Sequence, residues 1–350
     1  MRKSLFIHEY LSGGGHDPNT HPASWLREGR AMRDALVREF AALPRLDVHY
    51  TRGIHDRTQL ERGTSVPARA EHEKEIVQTY AAKCDWTLIL APETAGLLRE
   101  RCAWVEEVGG RSLGSTPSAV DLAGDKLSTY HCIQMHTRID FPPTIPISYP
   151  IPPPPFPPPW VCKPVDGAGC FNTFRVQHTQ ALAKLPHTPA LLQPLVEGTP
   201  MSASFLVARG GVVQPVGVAA QSVALHPTHN EFSYGGGCAP SGCVTWAEHL
   251  VPAVSAIRGL AGWIGVDFIH TKDDRIVFLE LNPRVTTSFV AFQRLLPAGT
   301  LARAWLDVAQ GQTPCNPLAL AMQVHDQAPV AFDCEGHVTA NPSPTPTSTL

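Results

Sequence analysis

Charge is what this chain has least of. Only 17% of its 350 residues are Asp, Glu, Lys or Arg, against about 25% in an ordinary domain. With 43% apolar residues, that scarcity excludes a disordered polyelectrolyte. The net charge is −3, and no basic block runs beyond two or three residues, so the chain lacks the footprint of a nucleic-acid binder. No run of 18 apolar residues exists, which leaves no transmembrane helix to expect and no membrane partner. The opening MRKSLFIHEYLSGGG has an apolar run of three, too short for a signal peptide, so a cytoplasmic protein is expected. No Walker A sequence occurs, which disfavours a P-loop nucleotidase. The nine cysteines are odd in number and lack framework spacing, as expected of reduced thiols.

Proline is abundant, 34 residues in all, with much of it in the run 150–159 and after Asn341. The proline run reads as a stiff spacer. The tail from about Pro329 is expected to bury little surface and to be dispensable. The length suggests about two domains. In the first, Ser4–His8, Leu46–Tyr50 and Trp86–Leu90 read as strands. They alternate with helical patterns over about 24–40, 68–84 and 94–107. Alternation of this kind predicts an α/β unit with a doubly wound parallel sheet over residues 1–118. Its Gly13–Gly15 loop falls at the carboxyl end of the first strand, where such sheets bind ligands.

After residue 118 the pattern becomes α+β. A helix is expected over 120–129 and a strand at Trp160–Pro164. Another strand should run from Leu191 into a Gly198 turn. A strand pair is expected over 202–208 and 212–223, a helix over 251–264, and a hairpin of 266–270 with 275–281. That hairpin carries the most chemistry. Residues two apart on a strand share a face, so Glu280 and Asn282 point together, and Asp267 on the partner strand can join them. Two carboxylates and an amide oxygen make a hard donor set suited to Mg²⁺ with phosphate oxygens. Glu280 lies in the apolar stretch Ile276–Leu281, where an unpartnered carboxylate is costly. Arg284 follows, a fork fitted to carboxylate or phosphate. Lys163 sits inside the apolar strand 160–164, next to a Gly167-Ala168-Gly169 turn whose backbone N–H groups could meet phosphate.

The order Asp125-Lys126, Lys163-Pro-x-x-Gly-x-Gly, Gln193–Gly198, Asp267 and Glu280-Leu-Asn282-Pro-Arg284 resembles the ATP-grasp superfamily of carboxylate–amine ligases. The match spans roughly residues 110–310. It implies an N-terminal α/β domain followed by an α+β ATP-grasp domain pair over 119–310. Within that pair, a mobile subdomain of about 130–198 would cover the nucleotide. An extension of 311–350 would close the chain. The resemblance also implies ATP and Mg²⁺ (or Mn²⁺) as cofactors and small-molecule partners; it allows a homodimer. Lys126 and Lys163 would grip ATP phosphates, Gly167, Ala168 and Gly169 would close over them, and Gln193, Pro194, Leu195 and Val196 would hold the adenine. Asp267, Glu280 and Asn282 would bind the metal; Arg284 and Lys163 would serve catalysis. The ribose-binding acid that many members carry is missing from Thr199–Ser202, and Glu197 is its nearest substitute.

A narrower likeness lies in Glu9–Gly15 and Phe232–Gly237, which resemble the tyramine–glutamate ligase-like proteins of methanofuran-type cofactor synthesis. It implies glutamate joined to a tyramine-like amine through an acyl phosphate, with ADP and phosphate released. Glu9, Gly13, Gly14, Tyr234, Gly235 and Gly236 would contact these substrates. Two other readings are a nucleotide-binding scaffold without catalysis and a bicarbonate-using carboxylase; the full donor set opposes the first, and no biotin-attachment Met-Lys-Met supports the second.

Overall fold

The computed structural model describes residues 2–15, 22–147, 154–167, 169–182, 189–312 and 316–339. Ala168, the first residues of the proline run and the tail 340–350 lie outside them.

The first part is built from β1 (Lys3–Glu9), α1 (Ala23–Ala41), β2 (Leu46–Gly53), β3 (Thr64–Ala68), α2 (Glu73–Lys83), β4 (Trp86–Leu90) and α3 (Leu97–Glu107). Its sheet runs β3-β2-β1-β4, and every pairing is parallel. Leu5, Phe6 and Ile7 are fully buried, because β1 is central and covered on both faces. β3 is a correction: Ala68 ends a strand and does not begin a helix. Pro67 hid it, a residue that a sheet tolerates at its edge.

The helix expected over 120–129 is two helices, α4 (Pro117–Gly124) and α5 (Lys126–His136). They part at Asp125, whose side chain accepts from Ser128 N at 2.6 Å as the N-cap of α5. A four-stranded sheet follows from β5 (Ile145–Pro146), β6 (Trp160–Pro164), β7 (Phe174–Val176), α6 (Thr179–Leu182) and β8 (Ala190–Pro194), in the order β5-β8-β6-β7.

The second large sheet holds β9 (Thr199–Val207), β10 (Val213–Leu225) and β11 (Phe232–Ala239), then, after α7 (Val244–Ala256), β12 (Gly262–His270) and β13 (Ile276–Asn282). The helix expected over 251–264 therefore lies earlier, since Gly262, at φ 75°, ends the connection and Ile264 belongs to β12. The stretch 232–237, read as a loop, is a strand. At Gly236 (φ 107°) a Cβ would stand 2.1 Å from the Phe332 carbonyl oxygen, so glycine is what lets the neighbouring strand approach. Helices α8 (Phe289–Leu295), α9 (Thr300–Ala309) and α10 (Ala319–His325) precede β14 (Val330–Asp333) and β15 (Val338–Thr339), giving the order β13-β12-β9-β10-β11-β14-β15. The region after Pro329 is thus no loose tail: β14 extends the sheet, and Phe332 is buried in the core. Among the described residues no helix is long and apolar enough to cross a membrane.

Candidate functional site

A cavity of about 640 Å³ opens where the three sheets meet, a size typical of small-molecule sites. β12 and β13 pair antiparallel, with Asp267 opposite Glu280 and Gly265 opposite Asn282. Asn282 Nδ2 donates to Asp267 Oδ2 at 3.1 Å, and Gln221 Nε2 donates to Oδ1 at 2.9 Å. Burial, then the charge of Glu280, pushes the Asp267 carboxyl up to about 7. Burial also works against the Glu280 charge, yet Lys126 and Lys163 hold that carboxyl below its ordinary value. Two carboxylates crowded together in a dry site, with amide oxygens beside them, form a set that a divalent cation would relieve. The residues present therefore fit Mg²⁺ between Asp267, Glu280 and Asn282.

The lysines face the same carboxylates. Lys126 opens α5, its Nζ 3.3 Å from Glu280 Oε2 and donating to the Gly167 carbonyl at 2.7 Å. It ties the glycine turn to the carboxylate pair. Lys163, only 6% exposed, donates to the Leu279 carbonyl at 3.3 Å. Burial lowers its pKa to about 8, against the opposing pull of Glu280. Gly167 and Gly169 line the same cavity, as do Gln193, Pro194, Leu195 and Val196. The Gln193 amide donates to Thr144 Oγ1 at 2.7 Å. Pro200 and Ser202 stand on the wall where a ribose-binding acid was sought, while Glu197 faces a separate hollow behind the β8 connection.

Arg284 lines the same cavity as the two lysines. Burial opposes its charge, but Glu93, 2.8 Å from Nε, raises its pKa above the ordinary value. Glu93 comes from Ala91–Thr94, just beyond the carboxyl end of β4, a position where parallel sheets receive ligands. Sequence reasoning passed over it, and over Glu28 on α1, which lines the cavity where Glu93 itself does not. Glu28 did leave a signal: it falls one turn before Met32, on the buried side of the helix.

The residues expected at the substrate end divide. Tyr234 and Glu9 line the cavity. Glu9 is 1% exposed, and its two oxygens accept from the backbone N–H groups of Leu11 and Ser12 at 2.9 and 2.5 Å, so it holds the glycine turn. Gly13, Gly14, Gly235 and Gly236 are not among the described residues that wall the cavity. A Cβ on Gly13 would lie 2.0 Å from the Glu9 carbonyl oxygen, and Gly14 packs against Ala68. Gly13, Gly14 and Gly236 are packed against neighbouring backbone, whereas Gly235 is exposed on β11, with Ser222 Oγ 3.3 Å from where a Cβ would stand.

Two family models match in succession, a pre-ATP-grasp 3 domain over residues 51–120 and an ATP-grasp domain over 123–288. The chain belongs to the ATP-grasp superfamily. Among solved structures, an ATP-grasp superfamily protein from Archaeoglobus fulgidus overlays with a TM-score of 0.68 at 23% identity, covering 88% of this chain and 89% of that one. The L-amino acid ligase of Bacillus licheniformis overlays at 0.59 and 16%, covering 89% and 76%. In sequence, the tyramine–L-glutamate ligase of Methanocaldococcus jannaschii is 26% identical over 292 residues, 81% of this chain and 82% of the relative. That of Methanocaldococcus fervens is 28% identical over 296 residues, 81% and 87%. The two domain matches, with the tyramine–L-glutamate ligase relatives, support an ADP-forming acid–amine ligase.

Proposed function

We propose that this ligase phosphorylates the side-chain carboxylate of glutamate with ATP and joins the acyl phosphate to a primary aromatic amine of the tyramine kind. The observation that carries the reading is the likeness, over four-fifths of the chain, to two tyramine–L-glutamate ligases. The cavity supports it: Lys126, Lys163 and Arg284 line it together with the aromatic rings of Trp25, Tyr234 and Phe332.

Lys126 and Lys163 would neutralise the outer phosphates, with the Gly167–Gly169 turn closing over them. Asp267, Glu280 and Asn282 would hold Mg²⁺, which screens the charge of the phosphates and of the departing ADP. Arg284, fixed by Glu93, would orient the carboxylate oxygen toward the γ-phosphorus. Attack there releases ADP and leaves a mixed anhydride, and the amine then displaces phosphate from the acyl carbon. Positioning and charge neutralisation carry most of such a transfer.

The test is product analysis. With MgATP, glutamate and tyramine, the expected products are γ-glutamyltyramine, ADP and phosphate by mass spectrometry. AMP formed in step with amide would overturn the acyl-phosphate route. Amide from some other pair alone would overturn the substrate assignment.

A further inference from the structure

Glu28 has no role in gripping phosphate, yet the fold takes trouble to place it. Thr287 Oγ1 donates to Glu28 Oε1, and the Tyr234 hydroxyl is hydrogen-bonded to the same Thr287. Tyr234 comes from β11, Thr287 from the loop after β13, and Glu28 from α1 of the first domain. Three segments of the chain thus converge on one carboxylate in the cavity wall. Among the described residues no cation pairs with it, for Arg284 is engaged by Glu93. The groups that face Glu28 are Arg284, Glu9, Tyr234 and Cys334. Burial is the main reason its carboxyl titrates above the ordinary value. Glu28 thus has only the nearby charge of an Arg284 that Glu93 already holds, and a carboxylate placed so is costly unless a ligand brings a cation of its own. Trp25 and Met32, one turn to either side on α1, and Phe332 on β14 supply apolar walls for the body of such a ligand.

We propose that Glu28, held by the Tyr234–Thr287 pair, binds the ammonium of the acceptor amine and takes its proton before attack. This rests on the ligase reading above. The proton passes from R–NH₃⁺ to the Glu28 carboxylate, giving R–NH₂ and a carboxylic acid. The nitrogen lone pair then forms the C–N bond at the acyl carbon. The C–O bond to phosphate breaks, and the second nitrogen proton leaves with the phosphate. Glu28 returns its own proton to solvent. A carboxylate with a raised pKa is the better base for this work near neutral pH.

The experiment compares two nucleophiles in wild type and Glu28→Gln. Glutamine still accepts from Thr287, so the local hydrogen bonds survive. Hydroxylamine is uncharged at neutral pH and needs neither a counter-charge nor a base. In Glu28→Gln, kcat/KM for tyramine should fall on the order of 10²- to 10³-fold, while hydroxamate formation from glutamate and MgATP stays within about twofold. The KM for glutamate in the hydroxylamine reaction should not move. Should Glu28→Gln melt early, Thr287→Val gives the same split in smaller measure. Equal loss with both nucleophiles, or loss with neither, overturns the proposal. A raised KM for glutamate assigns Glu28 to the donor's own ammonium and overturns it too. A wild-type protein that makes no hydroxamate from any acid overturns the ligase reading, and this inference with it.

Discussion

Buried charge is handled in two opposite ways in this molecule. In two clusters of the first domain it is paired. Glu73 binds Arg101 through two contacts of 2.7 and 2.6 Å and His8 at 2.8 Å. Arg33, fully buried on α1, reaches Asp34 at 2.8 Å and Asp56 at 2.9 Å. In the cleft the charges crowd without resolving. Asp267 is pushed up to about 7, Lys163 down to about 8, and Glu28 makes no salt bridge among the described residues, feeling only the charge of an Arg284 that is bound to Glu93. The first arrangement satisfies itself and specifies the domain. The second would be satisfied by phosphates, a metal and an ammonium, as the proposed function requires. Both are dry, so burial alone does not separate them; completeness of pairing does.

Breaking a finished pair should produce the largest change in stability. Arg101→Met leaves Glu73 buried with His8 alone and should cost about 3–5 kcal/mol in urea unfolding, while kcat holds at temperatures below melting. The acid limb sharpens the point. Burial raises the Glu73 pKa, but His8 and Arg101 outweigh it and hold the carboxyl below its ordinary 4.5. The folded state therefore binds fewer protons than the unfolded chain. Its contribution is whole above about pH 4.5 and is lost as the pH falls through the depressed folded value. Glu73→Gln should flatten that loss in a plot of stability against pH. A Glu73→Gln protein with an unchanged acid limb would show that another carboxylate sets it.

In the cleft the effects should reverse. Glu280→Ala removes a like charge facing Asp267 but also the counter-charge of Lys126 and Lys163, so the two effects oppose and the melting temperature should fall less than in Arg101→Met. Turnover should fall on the order of 10²- to 10³-fold. MgATP at a hundred times its Kd should stabilise wild type by about 2.7 kcal/mol, and the same concentration should do distinctly less for the variant. Near-normal turnover at limiting Mg²⁺ would remove Glu280 from the metal site.

Much of the cleft was legible because it lies on strands. The two-residue period puts Glu280 and Asn282 on one face, and the short 271–274 turn brings Asp267 opposite. Lys163 showed itself by its apolar neighbours. Glu93 did not, since its partner Arg284 comes from far later in the chain, and Glu28 showed only that it lies on the buried side of α1. No local period records which side of α1 meets β11. Strand β11 was hidden by its glycines, which usually interrupt strands and here admit β14. The misplaced helix has a similar origin: apolar residues of α7 and β12 happen to follow one another at helical spacing across 251–264. The break between α4 and α5 was written in the sequence as Gly124-Asp125, a poor helix former followed by an N-cap residue.

That break supplies the smallest test, at the point where structural and working charge meet. Asp125 caps α5, and the next residue is Lys126, which bridges Glu280 and the Gly167 carbonyl. The cap fixes the first turn and with it the starting angle of the lysine. Asp125→Ala leaves the Ser128 N–H without its acceptor and should cost about 1 kcal/mol of stability. Asp125→Asn keeps an acceptor and should cost a fraction of that. If the cap also positions Lys126, the KM for ATP should rise several-fold in the alanine variant and hardly at all in the asparagine variant, with kcat for the amine step little changed. Equal KM values in both variants would confine Asp125 to the structural class of charge, and Lys126 would then owe its position to Glu280 and the glycine turn alone.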